Sequence, residues 1–189
     1  IHSGRVKLRK STEEGKDFTL SIKDKGDLVG VFVLSDEMVH AFSAEVVEDL
    51  TAGLIYTKDL KALISKDLDL AMEMMNWVSW MNRASQSKFR DLLLFGKPGA
   101  LASTLIRLSN SYGVETPDGI LLDIKLTNTE IADFIGTARE SVNRILNSWK
   151  EEGIISFVNG QIVIHHLDQL RRICNCPSCP ACPKEICRI

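Results

Sequence analysis

Short runs of alternating hydrophobic and polar residues, separated by glycines, fill residues 1–56. Alternation with a period of two places successive side chains on opposite faces of a strand, and the glycines mark turns. We therefore expect residues 1–66 to form an antiparallel β-domain, a sandwich or roll. The expected strands are Arg5 to Leu8, Phe18 to Ile22, Val29 to Leu34, Phe42 to Val47 and Leu54 to Tyr56.

A helical period replaces this alternation near Lys58. It predicts a short helix from Asp59 to Ile64 and a long one from Asp67 to Leu94, which we assign to residues 67–95. A helix of this length spans roughly 40 Å, more than a small β-domain covers. The apolar positions of the long helix are Leu70, Met74, Trp77, Val78, Met81, Phe89 and Leu92.

The width of the apolar arc on the long helix favours two packing partners. Met74, Met75, Trp77 and Trp80 cover too wide an arc for one contact. A second copy of the helix would bury the excess, because a two-fold dimer pairs identical faces. We therefore predict a homodimer; the alternative is a helix packed only on its own β-domain.

Residues 96–170 carry the signals of a winged helix-turn-helix. A break at 96–99 is followed by a helix at 100–111, a turn at 116–119 and a strand at 120–124. Thr127 and Glu130 form a capping-box pattern that starts a helix at Asn128, and glycine at position 136 ends it. Thr137 and Glu140 repeat the box and predict a second helix directly afterwards.

The second of these helices has one apolar and one polar face. Val142, Ile145, Leu146 and Trp149 form the apolar stripe, and Glu140, Asn143, Arg144 and Asn147 lie opposite. Such a polar face can enter the major groove of double-stranded DNA, although an ordinary solvated face has the same composition. A hairpin predicted around Asn159 and Gly160 supplies a wing and favours the DNA-binding interpretation.

Each polar side chain of this face suits a particular DNA contact. Arg144 can donate to guanine, Glu140 can accept from cytosine, and Arg139 can reach a base or a phosphate. Ser141 and Thr129 are candidate phosphate contacts, which set register without reading sequence. Asn143 completes the predicted DNA-binding set.

Composition sets the class of protein without adding a DNA signal. The formal net charge is −2 and the sequence pI is about 6.1, so any nucleic-acid contact must be local. The richest apolar stretch, residues 69–81, is interrupted by Glu73, Asn76 and Ser79, so no membrane span is expected. A scattered set of histidines gives no catalytic constellation, so we do not expect an enzyme; a metal-dependent enzyme is the alternative.

All five cysteines lie in the tail, between Cys174 and Cys187, which we treat as a separate segment, residues 171–189. Cys179, Cys182 and Cys187 have the spacing C-x2-C-x4-C, and interspersed prolines keep this segment out of a helix. Thiolates suit an iron–sulfur cluster or zinc. An odd cysteine count, with none before residue 174, favours a reducing cytoplasm over disulfides. Cys176 could be a fourth ligand, or a ligand could come from elsewhere in the chain, with Cys174 and Cys176 as bystanders.

The stretch LTNTEIADFIGTARESVNRILNSWKEEGIISFVNGQIVIH resembles the DNA-binding domain of Crp/Fnr-family transcription regulators. Upstream, IHSGRVKL and GDLVG resemble segments of the family's β-roll, which normally has several more strands before this point. The resemblance implies an α+β fold: a partial, cyclic-nucleotide-binding-like antiparallel β-roll, a long dimerisation helix and a winged helix-turn-helix. It also implies contact with RNA polymerase.

Two positions bear on the effector. Members that bind cyclic nucleotides carry a glutamate and an arginine where this chain has Val31 and Phe42. A buried phosphate without its cation is costly, so we expect no cyclic nucleotide.

The tail sequence CPACPKEIC resembles the Bacillus-type Fnr regulators, which sense oxygen. The resemblance implies a 4Fe–4S cluster held by Cys179, Cys182, Cys187 and an aspartate. It places that aspartate at Asp91, within RDLLLFGK. We therefore predict a cytoplasmic, oxygen-responsive regulator of anaerobic genes, with the fourth ligand open between Asp91 and Cys176. A constitutive DNA-binding protein with a structural zinc is the main alternative.

Overall fold

A computed structural model describes residues 1–30, 40–176 and 187–189. The chain divides into two compact units, Ile1–Ser79 and Trp80–Ile189. Each unit has its own β-sheet and its own buried apolar residues.

Antiparallel strands form the sheet of the first unit, as the alternation predicted. They are β1 (Ser3–Ser11), β2 (Asp17–Lys23) and β3 (Ser43–Thr51), in the order β2-β1-β3. Inward positions of the alternating pattern, Val6, Leu8 and Ile22, are buried. These strands therefore follow the expected period of two.

Two of the predicted strands have other outcomes. The expected strand from Val29 to Leu34 lies largely outside the described residues. The expected strand from Leu54 to Tyr56 is wrong, because its residues are exposed and lack strand structure. Tyr56 instead takes the N-cap position of α1 (Thr57–Ile64), so this short apolar run leads into a helix.

The long helix α2 (Leu68–Tyr112) contains one non-helical residue, Gly96, with φ 59° and ψ −160°. Glycine adopts positive φ at little cost, which explains why the helix breaks at this residue. The break lies within the predicted range, residues 96–99. We call residues 68–95 the first arm of α2 and residues 97–112 its second arm.

The two arms fold back on each other at this break. Arg107 donates to Ser87 across 20 positions of sequence at 2.9 Å. In a straight helix these residues would be about 30 Å apart. Gly99 lies in the same tight region, where a β-carbon would fall 2.2 Å from the Phe95 Cβ. Small residues therefore allow the reversal that brings the two arms together.

The first arm of α2 carries both partly buried and exposed apolar side chains. Leu70, Met74 and Trp77 are partly buried. The exposed apolar side chains of this arm are Leu68, Met72, Met75, Val78, Trp80, Met81, Phe89, Leu92, Leu93 and Leu94. The first arm thus presents more apolar surface than the described residues of this chain cover.

The second unit packs around the second arm of α2, whose residues 99–108 are all buried. Its sheet has the order β4-β5-β7-β6. The strands are β4 (Gly113–Thr116), β5 (Gly119–Leu122), β6 (Ile155–Val158) and β7 (Gln161–Ile164). Sequence reasoning found β5 and the wing hairpin but missed β4, which pairs with β5 across the predicted turn.

Helices α3 (Asn128–Ile135), α4 (Arg139–Glu151) and α5 (Leu167–Ile173) complete this unit. The capping box predicted at Thr127 and Glu130 is confirmed, with both reciprocal hydrogen bonds present. Gly136 is the left-handed C-cap of α3, also as predicted.

The second predicted capping box is wrong. Ala138, not Thr137, is the N-cap of α4, and no side chain caps this helix. The Thr137 N–H donates to the Ala132 carbonyl, so Thr137 belongs to the C-terminal closure of α3. The tight turn after Gly136 therefore delays α4 by one residue.

In the described ranges of the chain, every helix is too short or too polar to cross a membrane.

We predict that Thr127→Ala lowers the unfolding free energy of the second unit by about 1 kcal/mol, because it removes one side of the capping box. Hydrogen exchange should show faster exchange of the Glu130 amide, which donates to the Thr127 hydroxyl. Thr129→Ala is the control, since Thr129 is exposed on the same helix. Equal protection of the Glu130 amide in both variants would contradict this contribution.

Candidate nucleic-acid interface and metal centre

The amphipathic faces predicted for α4 are present. Val142, Leu146 and Trp149 are buried in the second unit, and Ile145 is partly buried. The opposite face leaves the predicted base-reading side chains, Arg139, Glu140 and Arg144, exposed. This helix therefore offers two cations and a carboxylate near one end of a solvent-facing surface.

The remaining predicted DNA contacts differ in whether their side chains already form hydrogen bonds within the protein. Thr129 is exposed near the start of α3. The Ser141 hydroxyl accepts a hydrogen bond from Lys97 at 3.3 Å. Asn143 accepts from the side-chain amide of Asn128, so it links α4 to α3. Sequence reasoning missed Lys97 and Asn128, which lie on other elements and share no spacing pattern with α4.

The predicted wing follows α4. Strands β6 and β7 pair antiparallel, and Asn159 and Gly160 at the turn both have positive φ, 52° and 80°. Two such residues suit the tight turn of a two-residue hairpin. His165, directly after β7, contacts the Asp118 carbonyl and the Ser156 hydroxyl.

Asp91, on the first arm of α2, is only 2 % exposed. Its Oδ1 accepts from Arg90, whose Nε lies 2.9 Å away. Its Oδ2 accepts from the Ser103 hydroxyl on the second arm and lies 3.9 Å from the buried guanidinium of Arg107. The two carboxylate oxygens therefore have different surroundings: Oδ2 faces the buried second arm, and Oδ1 faces a partly exposed arginine.

Two cysteines follow α5, and their charges act on Asp91 or on its partner Arg90. Cys174 is buried, and its thiol donates to the Leu170 carbonyl at 3.4 Å. Burial, with the negative charges of Asp91 and Cys176, raises the pKa of Cys174 to about 11. Partial burial of Arg90 opposes its charged form. The hydrogen bond to Asp91 and the nearby charges of Asp91, Cys174 and Cys176 outweigh that opposition and raise the pKa of Arg90.

The end of the described tail returns to the second arm of α2. Asn110 donates to the Cys187 carbonyl at 2.8 Å, and the Ile189 N–H donates to the Ser111 hydroxyl at 3.2 Å. Ile189 is itself buried. Asn110 follows Ser103 and Arg107 at helical spacing, so the face of the second arm that meets Asp91 also meets Cys187.

The other two predicted ligands, Cys179 and Cys182, lie outside the described residues. In the described ranges, no three histidine, cysteine, aspartate or glutamate side chains are gathered closely enough to hold a metal. The cysteine thiols are the donor type that iron–sulfur groups use, and the second arm of α2 contacts both the Cys187 carbonyl and the Asp91 carboxylate, so these two residues could serve one such group.

Three residues around Asp91 escaped the sequence reasoning. Ser87 and Arg107 share a hydrogen bond, and Ser103 bonds to both Arg107 and Asp91. The available signal was the charged residue Arg107, four residues after Ser103 in a mostly apolar stretch, residues 99–108. A charged residue within such a helix usually has a buried partner.

We predict that the Cys174 thiol of the iron-free protein reacts with iodoacetamide far more slowly than a free cysteine at pH 8, because only its thiolate is nucleophilic. With a pKa of about 11, the alkylation rate should still rise steeply above pH 9. Mass spectrometry of the peptide containing Cys174 measures this rate. A rate that levels off near pH 9 would contradict the raised pKa.

Comparisons with known proteins agree with this architecture. Residues 99–173 match the model of the Crp-like helix-turn-helix domain. The chain is 47% identical over 191 residues to the Anaerobic regulatory protein of Bacillus subtilis, covering 100% of this chain and 79% of that protein. It is 31% identical over 176 residues to the Listeriolysin regulatory protein of Listeria monocytogenes, covering 91% of this chain and 74% of that protein.

A solved structure has the same fold. The CooA mutant from Carboxydothermus hydrogenoformans matches with a TM-score of 0.74 and 22% identity, covering 92% of this chain and 77% of that one. The predicted fold class is confirmed, with its antiparallel sheets, long helix and winged helix-turn-helix. The relatives of this chain are regulatory proteins and not enzymes. The chain belongs to the Crp/Fnr family of DNA-binding transcription regulators.

Proposed function

We propose that this regulator is a homodimer that responds to oxygen through a 4Fe–4S cluster and controls anaerobic genes. The single observation that carries the proposal is that the second arm of α2 contacts both the buried Asp91 carboxylate, through Ser103, and the Cys187 carbonyl, through Asn110. The similarity to a protein named Anaerobic regulatory protein supports it.

Asp91, Cys179, Cys182 and Cys187 are the proposed ligands. When bound, the cluster supplies an oxygen-labile link between the first arm of α2 and the tail. A carboxylate is a harder ligand than a thiolate and suits iron in such a cluster less well, so Asp91 is the expected weak point. The Cys174 thiol is buried and donates to the Leu170 carbonyl, so we leave it out of the proposed ligand set.

The tail leaves the DNA-binding domain directly, because α5 follows wing strand β7. A link from this tail to Asp91 therefore restrains the domain that carries α4. Loss of the link frees the tail and removes the constraint on how α4 is presented to DNA. DNA binding then depends on oxygen, because oxygen removes the cluster that connects the tail, and so the domain carrying α4, to the first arm.

Dimerisation would cover exposed apolar side chains on the first arm of α2. Met75, Val78, Phe89 and Leu92 remain exposed, at successive spacings of three, eleven and three positions. Spacings of three, four or seven residues place side chains on one helical face, which a second copy of the arm can bury.

In the proposed complex, α4 of each protomer enters the major groove. Glu140 and Arg144 read bases, Arg139 contacts a base or a phosphate, and Ser141 and Thr129 fix register at the phosphates. Asn143, on the same face of α4, completes the set. Two-fold symmetry then requires a palindromic operator with half-sites about one helical turn apart. RNA polymerase is the expected partner at such promoters, and cyclic nucleotide is not the expected effector.

We predict that anaerobically reconstituted protein binds a palindromic operator at least about tenfold more tightly than the same sample after exposure to air. Loss of the cluster releases the tail and the restraint on α4. Fluorescence anisotropy with labelled DNA, together with iron and sulfide analysis, measures both changes.

The Cys187→Ser variant is the control, because it removes a proposed ligand and should bind weakly with or without air. Equal affinity of the wild type in both conditions would reject the oxygen switch. A colourless protein that contains zinc and binds DNA in air would establish the constitutive regulator instead.

We predict that Arg144→Ala weakens operator binding by about 1–3 kcal/mol and relaxes preference at one base pair of each half-site. Lys150→Ala is the matched control, since Lys150 is exposed near the other end of α4. Binding measured on operators substituted at single positions separates the two effects. A uniform loss across all operators would assign Arg144 to a phosphate contact.

A further inference from the structure

Four polar side chains connect the two arms of α2 where they fold together. Ser87 and Asp91 lie four residues apart on the first arm, and Ser103 and Arg107 lie four residues apart on the second. We call these residues the polar quartet. Asp91, Ser103 and Arg107 are all less than 10 % exposed, so water does little of their hydrogen bonding.

The hydrogen bonds of the quartet have a direction. Arg107 Nε donates to the Ser103 hydroxyl at 3.3 Å, and that hydroxyl donates to Asp91 Oδ2. A hydroxyl has one proton to donate, and a guanidinium can only donate. Arg107 therefore turns the Ser103 proton towards the carboxylate, and its bond to Ser87 anchors it to the first arm.

The other oxygen of Asp91 is held differently. Oδ1 accepts from Arg90, whose side chain is 37% exposed, whereas Arg107 is 4% exposed. Arg90 can therefore move into solvent without leaving a buried charge unpaired, and Arg107 cannot. The charges of Cys174 and Cys176 also act on Arg90.

We propose that Ser103, directed by Arg107, is a positioning residue that holds Asp91 Oδ2 and so presents Oδ1 for iron ligation. This inference rests on the proposed cluster function and deepens it. Arg90 occupies Oδ1 in the iron-free protein and yields it to iron, while Ser103 and Arg107 keep their bonds. Outer hydrogen bonds of this kind fix the orientation of metal-ligating carboxylates in general.

The test uses the full chain, reconstituted with iron and sulfide without oxygen, and measures iron release to an excess of ferrous chelator. Ser103→Ala should release iron about tenfold faster than the wild type. Its helix should persist, since alanine has the highest helix propensity. Ser109→Ala is the matched control, because Ser109 lies on the same arm and donates to its own helix at the Ile106 carbonyl.

Two further readouts separate positioning from a general structural role. Asp91→Ala should release iron faster than the wild type, and adding Ser103→Ala to it should change nothing more, because the hydroxyl then has no carboxylate to hold. Mössbauer spectra of Ser103→Ala should show a changed signal for the one oxygen-ligated iron and unchanged signals for the thiolate-ligated irons.

The outcomes are distinguishable. If Asp91→Ala releases iron quickly while Ser103→Ala matches the wild type, or if the two effects add in full, the positioning role is overturned and the cluster assignment stands. If the wild type takes up no iron, or Asp91→Ala behaves as wild type, the ligand assignment fails and the positioning role falls with it.

Discussion

A carboxylate buried at 2 % exposure needs cations and donors around it, and in this chain that requirement is met by both arms of α2. Removing one partner from a buried charge pair costs roughly 3–5 kcal/mol, so Asp91 and Arg107 depend on each other. Their contact exists only because α2 reverses at Gly96. The reversal at Gly96 thus determines both the pairing of Asp91 with the buried second arm and the position of Asp91 relative to the tail.

This constraint also gives the proposed switch its geometry. The second arm faces Asp91 through Ser103 and Arg107, and one or two turns later it holds Cys187 and Ile189 through Asn110 and Ser111. One helix face therefore positions a carboxylate and the end of the cysteine-rich tail. In the proposed mechanism, a cluster adds strength to a connection whose two sides are already placed.

Local signals in the sequence were enough to predict most of the fold. The Thr127 capping box, the Gly136 stop, the Asn159–Gly160 turn and the break at Gly96 each depend on residues a few positions apart, and each is present. The failures also have local causes. Thr137 was assigned to α4, although its N–H closes α3, and Leu54 to Tyr56 lead into a helix.

The candidate site was less accessible from sequence. Asp91 was selected only by resemblance, since an aspartate between an arginine and a leucine has no distinguishing spacing. Ser103 and Arg107 reach it across the reversal, and no periodicity specifies that pairing. Lys97 and Asn128, which hold two proposed DNA contacts, escaped for the same reason. Contacts between residues on different elements can be identified only once the fold is known.

The most direct measurement of the central claim compares Mössbauer spectra of the anaerobic ⁵⁷Fe protein in two ligand variants, Asp91→Ala and Cys176→Ser. The account predicts one oxygen-ligated iron among thiolate-ligated irons in the wild type, retained in Cys176→Ser and lost in Asp91→Ala. A wild-type spectrum with thiolate ligation at every iron, disturbed by Cys176→Ser but not by Asp91→Ala, would contradict it.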